Sequence, residues 1–290
     1  MNFRPIVRDI ARSVSRAPAR QFDIEALFRS GDAGAWFDPS DLQTLYQNSV
    51  GTLPVTESGQ PVGLMLDKRR GLERGANVVT NGDFAVDASW TKNGGWTIAD
   101  GKASRAATGA IEILSQVCLT IGRTYEIEVD LTVTAGAINI WLGGVRVADS
   151  RSTSGTVRGI ARAQGNNRIE MQALQTFAGS IDNVVIREIP GAHAFQSTSM
   201  ARPTYRTSPA RLEFDGVDDK LTVNFTASFG SECTIARAPH GGAVEVLRRQ
   251  SIGTSYVIEQ GLRGLVFINR ALSDEECLRL AQWLGARAGA

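Results

Sequence analysis

Between Thr124 and Val133 the chain alternates with a period of two. Tyr125, Ile127, Val129, Leu131 and Val133 fall on one side and Glu126, Glu128 and Asp130 on the other, which predicts a long strand with one buried and one wet face. Shorter alternations at 95–98, 110–119, 137–142, 168–173 and 183–189, joined by glycine-rich turns, extend the pattern to about eight strands and predict a β-sandwich over 76–189. Further short strands are predicted at 211–214, 221–225, 242–247, 255–259 and 264–269. The period then becomes helical, with Cys277, Leu280, Ala281 and Leu284 as the buried stripe and Ser273 and Glu276 as a capping box.

The first residues also carry a helical period. Phe3, Val7, Ile10 and Val14 form an a/d seam, and Arg4, Arg8, Arg12, Arg16 and Arg20 form a ridge beside it. A seam this short holds a helix only against a partner or its own symmetry mates, so the expectation is a docking or trimer-forming arm over 1–33, set against a solvated basic tail and a weaker nucleic-acid reading. Phe3, Val7, Ile10, Val14, Arg8 and Arg12 are its candidate assembly residues, and 17–30 is expected to be a linker with an apolar patch at Phe22, Ile24, Leu27 and Phe28. Segment 34–75 is rich in turn formers, with Asp38-Pro39-Ser40-Asp41 starting a helical turn toward Tyr46. It has too few apolar residues for a core of its own and needs a partner sheet.

Composition narrows the function. With 31 basic and 30 acidic residues the chain lacks the basic excess of a nucleic-acid-binding domain. Cys118, Cys233 and Cys277 are far apart and in no metal-ligand spacing, which favours buried thiols from a reducing cytoplasm. No signal-peptide core and no apolar run of membrane-spanning length is present, so neither export nor membrane insertion is expected.

The residues W-F-D-P-S-D-L at Trp36–Leu42, followed far downstream by F-D-G-V-D-D at Phe214–Asp219, resemble the concanavalin-like (laminin-G-like) lectin sandwich of tailed-bacteriophage and prophage virion proteins. The intervening stretch, with N-G-D-F near its start and I-D-N-V near its end, resembles the jelly-roll carbohydrate-binding module of the same proteins. The resemblance implies an all-β chain in which a concanavalin-like sandwich, 34–75 and 190–290, is interrupted by a jelly roll, 76–189, with a short N-terminal helical arm and a C-terminal helix. It also implies a virion protein made in the host cytoplasm: a tail-tip, baseplate or fibre component for host-surface adhesion, associating with other virion proteins, forming homotrimers and meeting a host glycan or pilus. The alternatives are a capsid decoration or head-fibre protein and a polysaccharide-degrading enzyme.

The chemistry read from the residues is sparse. His193 and His240 lie in turn-like contexts and fit no metal or triad motif, so satisfied turn histidines are expected. No carboxylate pair is marked out by a motif, and Asp215, Asp218 and Asp219 read as a hydrogen-bonded turn. A non-enzyme without cofactor or bound metal is expected; Asp83 and Asp182, where the resemblance would put a structural calcium, read as turn caps. Sugar binding needs a ring to stack on pyranose faces and amides for hydroxyls. Trp90, Trp96, Trp141 and Asn139 are therefore the ligand-binding candidates, with Asn93 and Gln172 nearby, although core packing is the favoured reading of each ring.

Overall fold

In a computed structural model, residues 22–28 and 33–288 are described. The arm residues Phe3, Val7, Arg8, Ile10, Arg12 and Val14 lie outside them. The chain forms β1 (Gly34–Phe37), β2 (Leu45–Tyr46) and β3 (Leu64–Met65), then β4 (Thr91–Lys92), β5 (Trp96–Ala99), β6 (Lys102–Arg105), β7 (Glu112–Val117), β8 (Thr124–Ala135), β9 (Ile138–Leu142), β10 (Val145–Arg151), β11 (Gly155–Arg162), β12 (Arg168–Ala173) and β13 (Ala178–Glu188). It continues with β14 (Ala194–Phe195), β15 (Thr204–Arg206), β16 (Arg211–Glu213), β17 (Leu221–Asn224), β18 (Phe229–Pro239), β19 (Glu245–Ile252), β20 (Ser255–Ile258), β21 (Leu262–Ile268) and α1 (Asp274–Ala288). The protein is thus mostly β, in antiparallel sheets, with one C-terminal α-helix. No described helix is long and apolar enough to cross a membrane.

Strands before residue 66 pair with strands after residue 193. β1 lies on β21, and the order β2-β3-β14-β17-β20 makes one sheet from both ends of the chain. A second sheet, β15-β16-β21-β18-β19 with β1 on β21, packs against it around Phe37, Leu45, Met65, Val223, Phe225 and Phe267. The segment between them forms two sheets of its own, β10-β9-β12-β7-β4 and β11-β8-β13-β6-β5. Their shared core holds Phe84, Leu114, Ile127, Ile138, Ile140, Met171, Phe177 and Ile186.

Each sandwich has two outward faces, and their fates differ. The outward face of the β21 sheet is backed by α1 and by a 3-10 turn at Ile24–Phe28: Ile24, Leu27, Phe28, Leu280 and Leu284 bury against Trp36, Ala236, Val266 and Ile268. The segment expected to be a linker is therefore docked over 24–28, because its apolar patch completes this layer. Helix α1 starts where its capping box predicts: the Ser273 hydroxyl accepts from Glu276 N at 3.2 Å and the Glu276 carboxylate from Ser273 N at 2.8 Å. Arg270 bonds the same carboxylate and, with Ser273, holds it down to about 2 despite partial burial.

The two sandwiches meet through one outward face each. Tyr46, Leu64, Leu66 and Phe195 pack on Ile160 and Ile189, and Val50 O accepts from Ile160 N at 2.7 Å. Gly51 makes that approach possible, since at its φ of +59° a Cβ would run into the Ile160 side chain. Arg74 bonds Glu126 at 2.7 Å near this contact.

Both linkers between the sandwiches pass one buried polar knot. Asp67 Oδ1 accepts from Trp36 N at 2.8 Å and Arg69 N at 2.9 Å, and Oδ2 from Ala192 N at 3.0 Å. The Asp67 N–H donates to His193 Nδ1 at 2.9 Å, and His193 Nε2 donates to Ile189 O at 3.0 Å. Both bonds exist together only in the neutral ring. Burial pushes its pKa down, against the opposing pull of Asp67.

Candidate functional site

Two of the ring candidates are core residues. Trp90 is 8% exposed, lies against Phe84 and donates its indole N–H to Asn81 O at 3.0 Å. Trp96 is 3% exposed and packs on Phe177. Neither offers a face to a ligand, because both project inward between the two inserted sheets. Of the tryptophans outside the inserted sandwich, Trp36 and Trp283 meet edge to face beneath Lys68 and Arg287 in the helix-backed layer.

Trp141 is placed differently. In β9, Ile138, Ile140 and Leu142 face the core, so Asn139 and Trp141 face outward. Register across the sheet then sets the neighbours: Arg146 on β10, Trp141 on β9, Glu170 on β12, Ser115 on β7 and Thr91 on β4 form one row, and Asn139, Gln172 and Ile113 the next. Trp141, Glu170, Gln172, Ser115 and Ile113 are half-buried, and Thr91 and Val117 are exposed. No other described element covers this face.

The polar groups of the face are ordered by a relay. Asn139 Oδ1 accepts from Ser150 N at 2.7 Å, so its Nδ2 turns to Gln172 Oε1 at 2.9 Å. The same Gln172 oxygen accepts from Trp141 Nε1 at 3.4 Å. Asn139 is 6% exposed with both ends of its amide engaged, and it holds the oxygen end of Gln172 in place. Arg146 lies over the Trp141 ring at 4.5 Å, and its charge is met by Asp149 at 2.7 Å. Gln172, one of the amides expected near the candidates, is brought opposite Asn139 by the strand register.

The remaining chemical groups are structural. Asp215 Oδ1 caps the turn N–H groups of Val217, Asp218 and Asp219, and Asp219 Oδ2 accepts from Asp215 N. These three are the carboxylates close enough together for a metal among the described residues, and their turn bonds account for the arrangement. The three cysteines are free thiols, and burial pushes Cys118 and Cys233 up to about 11, far from a reactive thiolate. Arg105 is buried with its guanidinium on Glu112, Thr108 and the carbonyls of Ala110, Leu174 and Phe177, which ties together the loops at one end of the inserted sandwich. Asp83 and Asp182 accept from the backbone of Ala85 and Asn183. No protein-family model matches the chain, and no curated protein matches it in sequence, so the site rests on its own geometry.

Proposed function

We propose that this chain is a non-catalytic structural component of a bacteriophage virion, a tail-tip, baseplate or fibre protein that holds a recognition surface toward the host. The virion assignment rests on the resemblance carried by Trp36–Leu42 and Phe214–Asp219. The adhesive role rests on one observation: of the four outward sheet faces, the one containing β9 meets no covering element among the described residues, and it carries the half-buried Trp141. The outer sandwich has its own outward faces occupied by α1 and by the inserted sandwich, which suits a mount. The inserted sandwich, held by two linkers and the Val50 contact, suits a rigid display.

Labelling purified particles with an antibody against the chain, read by electron microscopy, tests the reading. Label at the tail tip, baseplate or fibres supports it. Label over the capsid shell replaces it with a decoration protein, and absence of the chain from particles overturns it.

A further inference from the structure

We propose that Asn93 is a site of spontaneous covalent modification, losing its side-chain amide through a cyclic imide formed with Gly94, while Asn81, in the same Asn-Gly dipeptide, is held inert by the fold. The dipeptide occurs twice in the chain, at Asn81-Gly82 and Asn93-Gly94. A glycine after asparagine leaves the attacking backbone nitrogen unshielded, since no Cβ stands beside it. Sequence makes the two equally reactive, and the structure separates them. At Asn81 both ends of the amide are engaged: Nδ2 donates to Val86 O at 2.7 Å and Ala88 O at 2.9 Å, and Oδ1 accepts from Val86 N at 3.3 Å. The Asn81 carbonyl accepts from Phe84 N at 3.3 Å and from the Trp90 indole at 3.0 Å, and Gly82 O accepts from Val184 N at 2.8 Å. Turning the Asn81 side chain onto Gly82 N therefore breaks every bond of its amide. At Asn93 the main chain is held, with its N–H donating to Ile113 O at 2.9 Å. Its side chain is exposed, and neither that amide nor Gly94 N has a hydrogen-bond partner among the described residues.

The reaction needs water alone and does not depend on the role proposed above. Gly94 N gives its proton to water or hydroxide and attacks Cγ of Asn93. The N–Cγ bond forms, the Cγ–Nδ2 bond breaks, and Nδ2 leaves as ammonia. Water then opens the imide at either carbonyl. One opening gives aspartate at position 93; the other gives isoaspartate, in which the main chain runs through the former side-chain carbon. No oxidation state changes, and the chain gains a negative charge. The place is a sensitive one. The Gly95 N–H and Arg105 both bond the Glu112 carboxylate, Arg105 at 2.7 Å, and Arg105 ties the loops at this end of the sandwich. Gly94, at a φ of +80°, has no room for a Cβ beside Glu112. Isoaspartate lengthens the main chain just before these two glycines and so presses on that contact.

The test is incubation of the full folded chain in warm, mildly alkaline buffer beside a sample unfolded in urea, followed by tryptic mapping with mass spectrometry. Cleavage after Lys92 puts the two asparagines on different peptides. Digestion in isotopically labelled water marks any change made during the mapping itself, and labelling by an isoaspartate methyltransferase reads the isoaspartate. In urea both asparagines should react at similar rates. In the folded chain Asn93 should react about tenfold faster than Asn81 or more, because Asn81 reacts only from a locally opened turn. Asn93→Gln, whose longer side chain closes the ring far more slowly, should lose the acidic form that ion-exchange chromatography resolves in the aged parent. The proposal is overturned if Asn93 stays intact in the folded chain while it reacts in urea, if Asn81 reacts as fast as Asn93 in the folded chain, or if Asn93→Gln accumulates the acidic form as the parent does.

Discussion

The inserted sandwich has two outward faces made from the same alternation of apolar and polar residues, and they end in different states. On the face of β8 and β11, the polar side chains satisfy one another: Arg158 bonds Glu128 at 2.8 Å, and Asp130 accepts from Thr156 at 2.7 Å and Asn183 at 3.1 Å. Where that pattern is interrupted by Ile160, the face is closed by the outer sandwich. On the face of β9 and β12, the relay from Ser150 through Asn139 stops at Gln172, whose Nε2 has no partner among the described residues, and the half-buried Trp141 ring carries Arg146 over it at 4.5 Å. The two faces are thus told apart by the contact that Ile160 makes with the outer sandwich on one of them and by the unpartnered Gln172 Nε2 on the other, among the described residues.

The largest effect that would sharpen this contrast is expected inside the sandwich. Trp96→Ala removes a buried ring packed on Phe177 and should cost about 4 kcal/mol in denaturant unfolding. Trp96→Phe should cost under about 1.5 kcal/mol, because the Trp96 Nε1 it deletes is buried without a partner. Next comes the closed outward face: Ile160→Ala, at a residue 1% exposed, should cost about 3 kcal/mol and speed proteolysis of the linkers, whereas a face open in solution would show almost no loss.

A pH effect follows from the knot between the linkers. His193 has its pKa lowered in the folded chain by burial, while the unfolded chain titrates near 6.5, so the unfolded state takes up the proton first. The stability held above about pH 6.5 is therefore lost as pH falls, by at most about 1.4 kcal/mol per pH unit. His193→Gln supplies an acceptor for Asp67 N and a donor for Ile189 O, and should flatten that slope in melts between about pH 5 and 6.5. The smallest change in stability is expected at Trp141→Ala, about 1 kcal/mol or less by denaturation, since this ring is only half-buried.

The sequence made the regular parts of this fold readable and the long-range parts not. Strand β8 stands out because Tyr125 to Val133 alternate without interruption, and α1 because Ser273, Glu276 and the Leu280–Leu284 spacing agree. Strand β18 carries no such signal: Cys233 to Ala236 are buried in succession between the core and the helix-backed layer, so no alternation survives, and Gly230 and Pro239 have the character of turn residues. Strand β11 hid for a related reason, since Ile160 turns an apolar side chain to the outward face to meet the outer sandwich. Asp67 and His193 lie 126 residues apart and meet because both linkers converge there, which local spacing does not reveal. At the candidate site, Trp141 was legible as a ring on an alternating strand. The inward positions of Trp90 and Trp96, the supporting role of Asn139 and the free donor of Gln172 all required the register.

Hydroxyl-radical footprinting of Trp141 in assembled particles, before and after adding host envelope fragments, tests most directly that the open face is the recognition surface. The account predicts a ring that is oxidised in the particle and becomes protected when envelope is added, while Trp90 and Trp96 stay protected throughout. A Trp141 already protected in the particle would contradict it, making the face a contact between virion subunits.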